Sequence, residues 1–349
     1  MRRPTIADLA KAAGVGVATV DRALHGRSNV AAATRRRIAA AAAELRYPVP
    51  QSLGGDAAAR PSLRLGFVLH KGGQQFYRQF TRQIELACAA RQDVRITPEI
   101  RFSPSQSPGD FCSEIEAAAQ GCAALATSAV THNRVAQLSA ALMHAGTPVF
   151  AVLNDFGRSA HAGYFGLDNL RAGRLAAWMM TQRLHAGGRV VIFVGGNRWH
   201  GHALRETGFR SFMREHAPQV SVMDTLVNLE TRQVTYEATL DLLGRHPDLR
   251  GIYVAGGGME GALAALRETR PPDRVALIVN ELTEDSRTAL SDRYALMVVA
   301  TPLEQLCRAL IDRMVAECAQ VRGAGAGHGA QVRQPQVILD PLIYLPESF

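Results

Sequence analysis

The sequence predicts a small all-α head followed by a larger α/β body of two lobes, each lobe a doubly wound parallel sheet. Three observations carry this. Residues 5–24 read as two short helices joined by a tight turn. From Leu63 onward apolar strands alternate with amphipathic helices in two successive series. Charge is unevenly placed: residues 1–60 hold ten Lys/Arg against four Asp/Glu, and so carry +6 of the chain's formal +8. A chain of 349 residues exceeds one small core and calls for two or three folding units.

In the head, Ile6, Leu9, Ala10 and Ala13 fall at i, i+3, i+4, i+7 and give the first helix one apolar stripe. Gly14-Val15-Gly16 breaks it, because glycine accepts the positive φ that a sharp helix–helix turn needs. In the second helix Val20, Ala23 and Leu24 point back onto the first, so Ala18, Asp21, Arg22 and His25 face outward. This is the layout of a helix-turn-helix, whose second helix lies in the major groove of DNA. A third helix, Ala32 to Arg46, turns Ile38, Ala42 and Leu45 inward. Its first turns carry Arg35, Arg36 and Arg37, which form either a solvated charged face or, for at least one of them, contacts to backbone phosphates, the reading the helical hairpin favours. Pro48-Val49-Pro50 stops it, and Gln51 to Pro61 reads as a linker.

The body opens with strand Leu63–Leu69, helix Phe76–Ala90, strand Val94–Phe102 and helix Phe111–Gln120. Strand Ala123–Thr127, helix Arg134–Ala145 and strand Pro148–Leu153 complete the first series. A second series starts at Tyr164 with the Gly166-x-Asp168-Asn169 turn and helix Ala172–His185. It continues through strands at 189–194, 221–227, 251–254, 275–279 and 296–299, with helices at 203–216, 235–243, 261–267 and 286–290 between them. Helix Leu303–Val321, a Gly/Ala-rich loop from Gly323 to Pro335 and a last strand near Val337–Tyr344 end the chain. Strands apolar on both faces and separated by helices argue for parallel sheets.

Composition narrows the function classes. The chain has no membrane-length apolar segment, and no apolar run or cleavage site follows the N-terminal arginines, which points to a cytoplasmic location. Cys88, Cys112, Cys122, Cys307 and Cys318 are odd in number and lack C-x-x-C spacing, as expected of reduced core thiols. His200-x-His202 lacks a nearby third ligand, so no metal is expected. Nor is a cofactor expected. The best case for an enzyme is Gly256-Gly-Gly-Met-Glu-Gly261, which satisfies G-x-G-x-x-G with Glu281 about 20 residues on, the spacing of a dinucleotide site in an NAD-dependent oxidoreductase. It lies deep in the second lobe and leaves the basic head unexplained. A sugar-binding protein without a DNA role is a further alternative.

From Thr5 to Tyr47 the chain resembles the DNA-binding head of the lactose-repressor/galactose-repressor (LacI/GalR) family of bacterial transcription regulators. The matching frame is T-I-A-D-L-A-x-x-A-G-V-x-x-x-T-V-x-R-x-L, then Val30, Thr34-Arg35, Ile38 and Ala43 to Tyr47. Weaker matches continue through Thr147-Pro-Val-Phe, Tyr164 to Arg174, Val191 to Gly196, Arg205-x-x-Gly208-Phe209 and Leu342-Ile-Tyr344-Leu. The resemblance implies residues 1–47 as a helix-turn-helix head, 48–61 as a hinge and 62–349 as an effector and dimerisation domain similar to periplasmic sugar-binding proteins. Its first lobe is expected at about 62–160 and 294–322, and its second at about 161–293 and 332–349. V-A-T-V-D-R in the second helix, Gly201-His202-x-x-Arg205-Glu206 and Asn280-Glu281-Leu282-Thr283 place it in a sugar- and polyol-linked branch. The implied partners are a near-palindromic double-stranded DNA operator, a second copy of the chain in a homodimer, and a small sugar or polyol effector.

On the head, Arg22 is the expected base reader, because a guanidinium fork matches guanine O6 and N7. Val17 and Ala18 offer apolar contacts such as thymine methyls. Asp21 either accepts from a cytosine amine or orients Arg22. By the family's pattern Thr5, Thr19, Thr34, His25 and Asn29 contact the DNA backbone. Leu53 is the candidate minor-groove wedge of the hinge, although the usual apolar run is replaced by Ser52-Leu53-Gly54-Gly55-Asp56, and each glycine costs about 1 kcal/mol in a helix. In the body, ligands belong at the carboxyl ends of parallel strands. That places His70, Phe76, Tyr77 and Asp155 in the first lobe, and Asn197, His202, Arg205 and Glu281 in the second, as the candidate effector site. Carboxylates there would accept hydroxyl protons and rings would stack on C–H faces. Where the family pattern has polar residues at the end of the strand equivalent to Leu296–Ala300, the run here is Val298-Val299-Ala300-Thr301-Pro302.

Overall fold

The computed structural model describes residues 4–25, 30–45, 47–48, 61–157, 159–323 and 336–349. The chain divides into one unit formed by Met1–Ser62 with Asp93–Arg95 and another formed by Leu63–Gln92 with Ile96–Phe349.

Among its described residues the first unit holds three helices, α1 (Ile6–Ala13), α2 (Val17–Leu24) and α3 (Ala32–Glu44). A capping box starts α1: Thr5 Oγ1 accepts from the Asp8 N–H and the Asp8 carboxylate accepts from the Thr5 N–H at 2.8 Å. It ends at Gly14, whose φ of +62° continues the chain in a left-handed turn. Leu9, Val20 and Ile38, one from each helix, are fully buried, and each contributes about 1.5–3 kcal/mol by leaving water.

The second unit contains two sheets. The first runs in the order β12-β5-β4-β3-β1-β2, where β1 is Ser62–His70, β2 Arg95–Ser103, β3 Ala124–Thr127, β4 Val149–Val152, β5 Tyr164–Leu167 and β12 Gln336–Leu339. Its helices include α4 (Gln75–Ala90), α5 (Pro108–Ala119) and α6 (Asn133–His144). After β5 come α7 (Asn169–Thr181), β6 (Gly188–Val194), α8 (His200–His216), β7 (Val220–Val222), β8 (Leu226–Val227), α9 (Arg232–Arg245), β9 (Leu249–Val254), α10 (Met259–Thr269), β10 (Ala276–Asn280), α11 (Glu284–Ser291) and β11 (Met297–Ala300). The second sheet has the order β13-β11-β10-β9-β6-β7, with β8 also on β6 and β13 (Leu342–Tyr344) antiparallel to β11. The α12 helix (Leu303–Gly323) packs on α4 in the first lobe. Apolar clusters cover both faces of the second sheet, which is why its strands read as unbroken apolar runs.

The lobe boundaries differ from those expected. β5 lies in the first sheet although residue 164 was assigned to the second lobe, β11 lies in the second sheet although residues 294–322 were assigned to the first, and β12 joins the first. The chain therefore crosses between lobes after β5, after β11 and after β12. The four-residue runs YFGL and MVVA are buried throughout and suit either sheet by composition, so only the hydrogen-bond register decides. The expected strand 221–227 is split into β7 and β8, with Arg210 Nη2 donating to Met223 O and Thr225 Oγ1 between them. The Gly323–Pro335 loop falls mostly outside the described residues.

In both sheets the strand order reverses beside an inner strand, between β1 and β3 in the first and between β6 and β9 in the second. Loops leave in opposite directions at such a switch point and open a crevice at the carboxyl ends of the strands.

Candidate functional site

In the head, α2 exposes Val17 (51% exposed), Ala18 and Arg22 while Val20, Ala23 and Leu24 are buried. A face of this kind can lie in a groove without unfolding anything. Arg22 Nε donates to Ala18 O at 3.1 Å, so the side chain is steadied by its own helix. Asp21 does not orient Arg22: its carboxylate lies 3.2 Å from His25 Nδ1, one helical turn on, where i,i+4 spacing brings the two together. Arg37 closes the end of α1, its Nη2 donating to Ala13 O at 2.7 Å and Gly14 O at 3.0 Å. Thr5 is the helix cap, and Thr19 and Thr34 are half-buried. Asn29 and Leu53 lie outside the described residues.

In the body, the crevice between the lobes holds a pocket of ≈ 840 Å³, counting the part open to solvent. Of the eight expected effector residues, Phe76, Tyr77, His202, Arg205 and Glu281 line it. His70 stands just behind, fully buried, with the rings of Tyr77, Phe111 and Trp199 at centroid distances of 6.1, 5.9 and 5.4 Å. Two do not reach the pocket. Asp155 is turned into its own loop, where Oδ1 accepts from Gly157 N at 2.9 Å and sits 3.1 Å from His161 Nε2; it lines a neighbouring recess instead. Burial alone would raise its pKa, but these bonds win and hold it below the usual carboxylate value. Asn197 is exposed on the loop after β6 and is absent from the lining.

The side chains that sequence reasoning missed include amides, a tryptophan and two acids: Asn154, Asn169, Asn280, Trp199, Glu230 and Glu260. Asn169 and Asn280 belong to the Gly166-x-Asp168-Asn169 and Asn280-Glu281-Leu282-Thr283 motifs, which gave a signal that could have found them. Glu230 had no motif, because it follows a two-residue strand that the sequence does not separate from its neighbour.

Arg205 is buried. Its Nε donates to Asn169 Oδ1 and its Nη1 to Ala255 O, both at 2.8 Å. This geometry depends on α7 and α8 touching backbone to backbone: a Cβ on Gly173 would overlap the Arg205 carbonyl, and one on Gly208 the Leu170 carbonyl. Both oxygens of Glu281 accept from Thr301, from its N–H at 2.9 Å and its hydroxyl at 2.8 Å. Its pKa is raised by burial, against the opposing pull of Arg205 and Thr301. His70 and His202 are both held neutral, at about 3, chiefly by burial.

Direct bonds join the lobes across the mouth of the crevice. Lys71 Nζ donates to Leu229 O at 2.7 Å and to Glu230 O at 3.0 Å, and Gln74 Nε2 donates to Glu230 O at 3.1 Å. On the other side Glu284 N donates to Gln75 Oε1 at 3.0 Å. Leu229 and Glu230 are both left-handed, with φ of 52° and 54°, a costly conformation for residues with side chains. The strain turns two successive carbonyls toward the first lobe.

The triple glycine serves packing within the second lobe. A Cβ on Gly256 would overlap the His202 ring, one on Gly257 would lie 3.0 Å from Glu230 Cβ, and Gly258 has φ +93°. The Gly257 N–H, the kind of donor a pyrophosphate requires, is given to Glu230 Oε1 at 3.2 Å. A carboxylate at that position repels phosphate, so the dinucleotide reading is not favoured.

Comparison with known proteins agrees with both halves. Residues 5–50 match the model for bacterial regulatory proteins of the lacI family, and residues 65–320 match the periplasmic binding protein domain. The HTH-type transcriptional regulator CelR of Thermobifida fusca is 27% identical over 90% of this chain and 93% of its own length. Among solved structures, a solute binding protein of an ABC transporter from Agrobacterium vitis, bound with α-D-tagatopyranose, superposes with a TM-score of 0.71 at 17% identity, covering 81% of this chain and 95% of that one. One from Burkholderia graminis, in complex with D-arabinose, has a TM-score of 0.71 at 18% identity, covering 82% and 96%. At these identities the likeness establishes the fold. With head and body matched in tandem and a regulator aligned across both, the chain belongs to the lacI family of bacterial regulatory proteins, a transcriptional regulator whose DNA-binding head is followed by a periplasmic-binding-protein domain.

Proposed function

We propose that the protein is a cytoplasmic, homodimeric repressor that reads a near-palindromic operator through two heads and releases or grips it in response to a small sugar or polyol. It performs no chemistry on that ligand. The observation that carries this reading is the cleft itself: buried polar atoms of Trp199, Glu230 and Asn280 line it without hydrogen-bond partners among the described residues. Unpaired buried polar groups are costly, and a hydroxylated ligand would satisfy them. The solved relatives bound to tagatose and arabinose support the same ligand class.

In the head, Val17, Ala18 and Arg22 would meet base edges. Thr5, Thr19, Thr34, His25 and Asn29 would meet the backbone, and Leu53 would serve the hinge. In the body, Phe76, Tyr77, His202 and Arg205 would meet the effector, with His70 and Glu281 supporting them. Closure on the ligand would alter the separation of the two heads, coupling the sites by linkage.

The test is a selected-operator mobility shift combined with a thermal-shift screen against sugars and polyols. Arg22→Ala should cost about 1–3 kcal/mol of operator affinity and relax one base position. A selective ligand should raise the melting point by mass action. Unchanged affinity in the variant would remove Arg22 from base reading, and a silent screen would remove the sugar or polyol effector.

A further inference from the structure

We propose that Glu230 sets the ligand selectivity of the cleft: its free oxygen takes a hydrogen-bond donor, hydroxyl or ammonium, and the pocket rejects molecules bearing a carboxylate or phosphate. This rests on the reading of the cleft as a sugar or polyol site.

Glu230 is only 8% exposed, and its two oxygens differ. Oε1 accepts from Gly257 N at 3.2 Å, whereas Oε2 has no hydrogen-bond partner among the described residues and lies 3.7 Å from the Nε2 of a neutral His70. A buried carboxylate oxygen left in this state requires a donor. The cations nearby do not supply one to it. Arg205 has given Nε and Nη1 to Asn169 and Ala255, and Lys71 has given Nζ to the Leu229 and Glu230 carbonyls.

The lining as a whole carries the carboxylates of Glu230, Glu260 and Glu281 against the single guanidinium of Arg205. Glu281 is already satisfied by Thr301 and Glu260 is only half-buried, which leaves Glu230 as the lining acid that holds a buried oxygen open to a ligand. Asn280 Oδ1, 3% exposed as a residue and also without a partner, adds a second acceptor in the same lining. Trp199 Nε1 is an unpartnered donor there, which a hydroxyl or ring oxygen can meet. A molecule with several hydroxyls answers all three, while an anion sets a like charge against Glu230 where water is scarce.

Glu230 also occupies the loop whose carbonyls accept from Lys71 and Gln74 across the crevice. A ligand bound at Oε2 would therefore be held by the segment that joins the lobes.

The experiment is isothermal titration of the intact chain with matched sets built on several pentoses and hexoses, glucose, glucosamine, glucuronate and glucose 6-phosphate among them. Within the set that binds, the neutral or amine form should bind at least 30-fold more tightly than the acid and the phosphate. Glu230→Gln should shrink that gap to less than about threefold. An acid or phosphate that binds as tightly as its neutral parent, or a Glu230→Gln ranking identical to the original, overturns the assignment of Glu230 while leaving the sugar or polyol reading in place. Failure of every compound to bind overturns that reading and this inference together. The ranking in the unaltered chain decides the anion question even if the variant does not fold.

Discussion

Replacing Lys71 by Met keeps the apolar stem and removes the ammonium that bridges the lobes. Its Nζ makes two bonds, of 2.7 Å to Leu229 O and 3.0 Å to Glu230 O, and lies close enough to Glu230 and Glu260 for their charges to oppose the lowering of its pKa by burial. A bond to a charged donor contributes about 1.5–3 kcal/mol. Lys71 is only half-buried, so screening reduces the pair to about 2 kcal/mol in total. That corresponds to a closure equilibrium weakened about 30-fold, and to effector affinity lowered by up to the same factor, because the binding-competent fraction falls. Fluorescence energy transfer between labels at Leu86 on α4 and Trp178 on α7 would measure it, since both positions are exposed and lie on different lobes. The native cysteines are buried, so cysteines placed at these two positions would label selectively. Lys71→Met should shift the population toward longer separations. An unchanged distance distribution, with unchanged effector affinity, would refute the idea that these bonds hold the lobes together.

Arg205→Ala leaves Asn169 Oδ1 and Ala255 O without their donor inside the protein and should cost about 3 kcal/mol of stability by denaturant unfolding. The same variant should lose its response to effector while operator binding in a mobility shift is kept, and a full response would exclude Arg205 from the pocket. His70 has its pKa held at about 3 in the native state against 6.5 in the unfolded chain, so the unfolded chain takes up a proton that the native protein refuses. The stabilisation from keeping it neutral is complete above pH 6.5 and is lost as pH falls toward 3. Urea unfolding should therefore give a stability that falls with acid more steeply than in His70→Asn, by about 1.4 kcal/mol per pH unit between pH 6 and 4. Burial raises the pKa of Glu230, Glu260 and Glu281, and these slope the other way in both proteins. Parallel curves would mean that His70 charges freely.

The head was legible almost residue by residue. Helix periodicity is local, so Leu9, Val20 and Ile38 had to face one another and Ala18 and Arg22 had to face out. The partners of Asp21 and Arg37 were not legible. Asp21 has His25 one turn away and Arg22 beside it in sequence, and only the three-dimensional helix brings the former closer. Arg37 reaches back across 23 residues to close α1.

In the body, alternation of strands and helices specified parallel sheets, and the rule that ligands sit at strand ends led to Phe76, Tyr77, His202, Arg205 and Glu281. It misplaced Asp155, because the rule locates a loop and not the direction of a side chain within it; the neighbouring Asn154 lines the cleft instead.

Sequence alone determined the two folding units, the surface of α2 and the strand ends from which a cleft could be built, since each depends on apolar periodicity or on charge within a short stretch. Tertiary structure alone decided which sheet took β5, β11 and β12, because short fully apolar strands carry no information about their partners. It also decided that Glu230 stands with one oxygen unpaired between two neutral imidazoles, within 3.8 Å of His70 and His202. That environment is assembled from a strand end, a helix and a loop, more than a hundred residues apart in one case, and burial, which gives it its chemistry, is a property of the packed molecule.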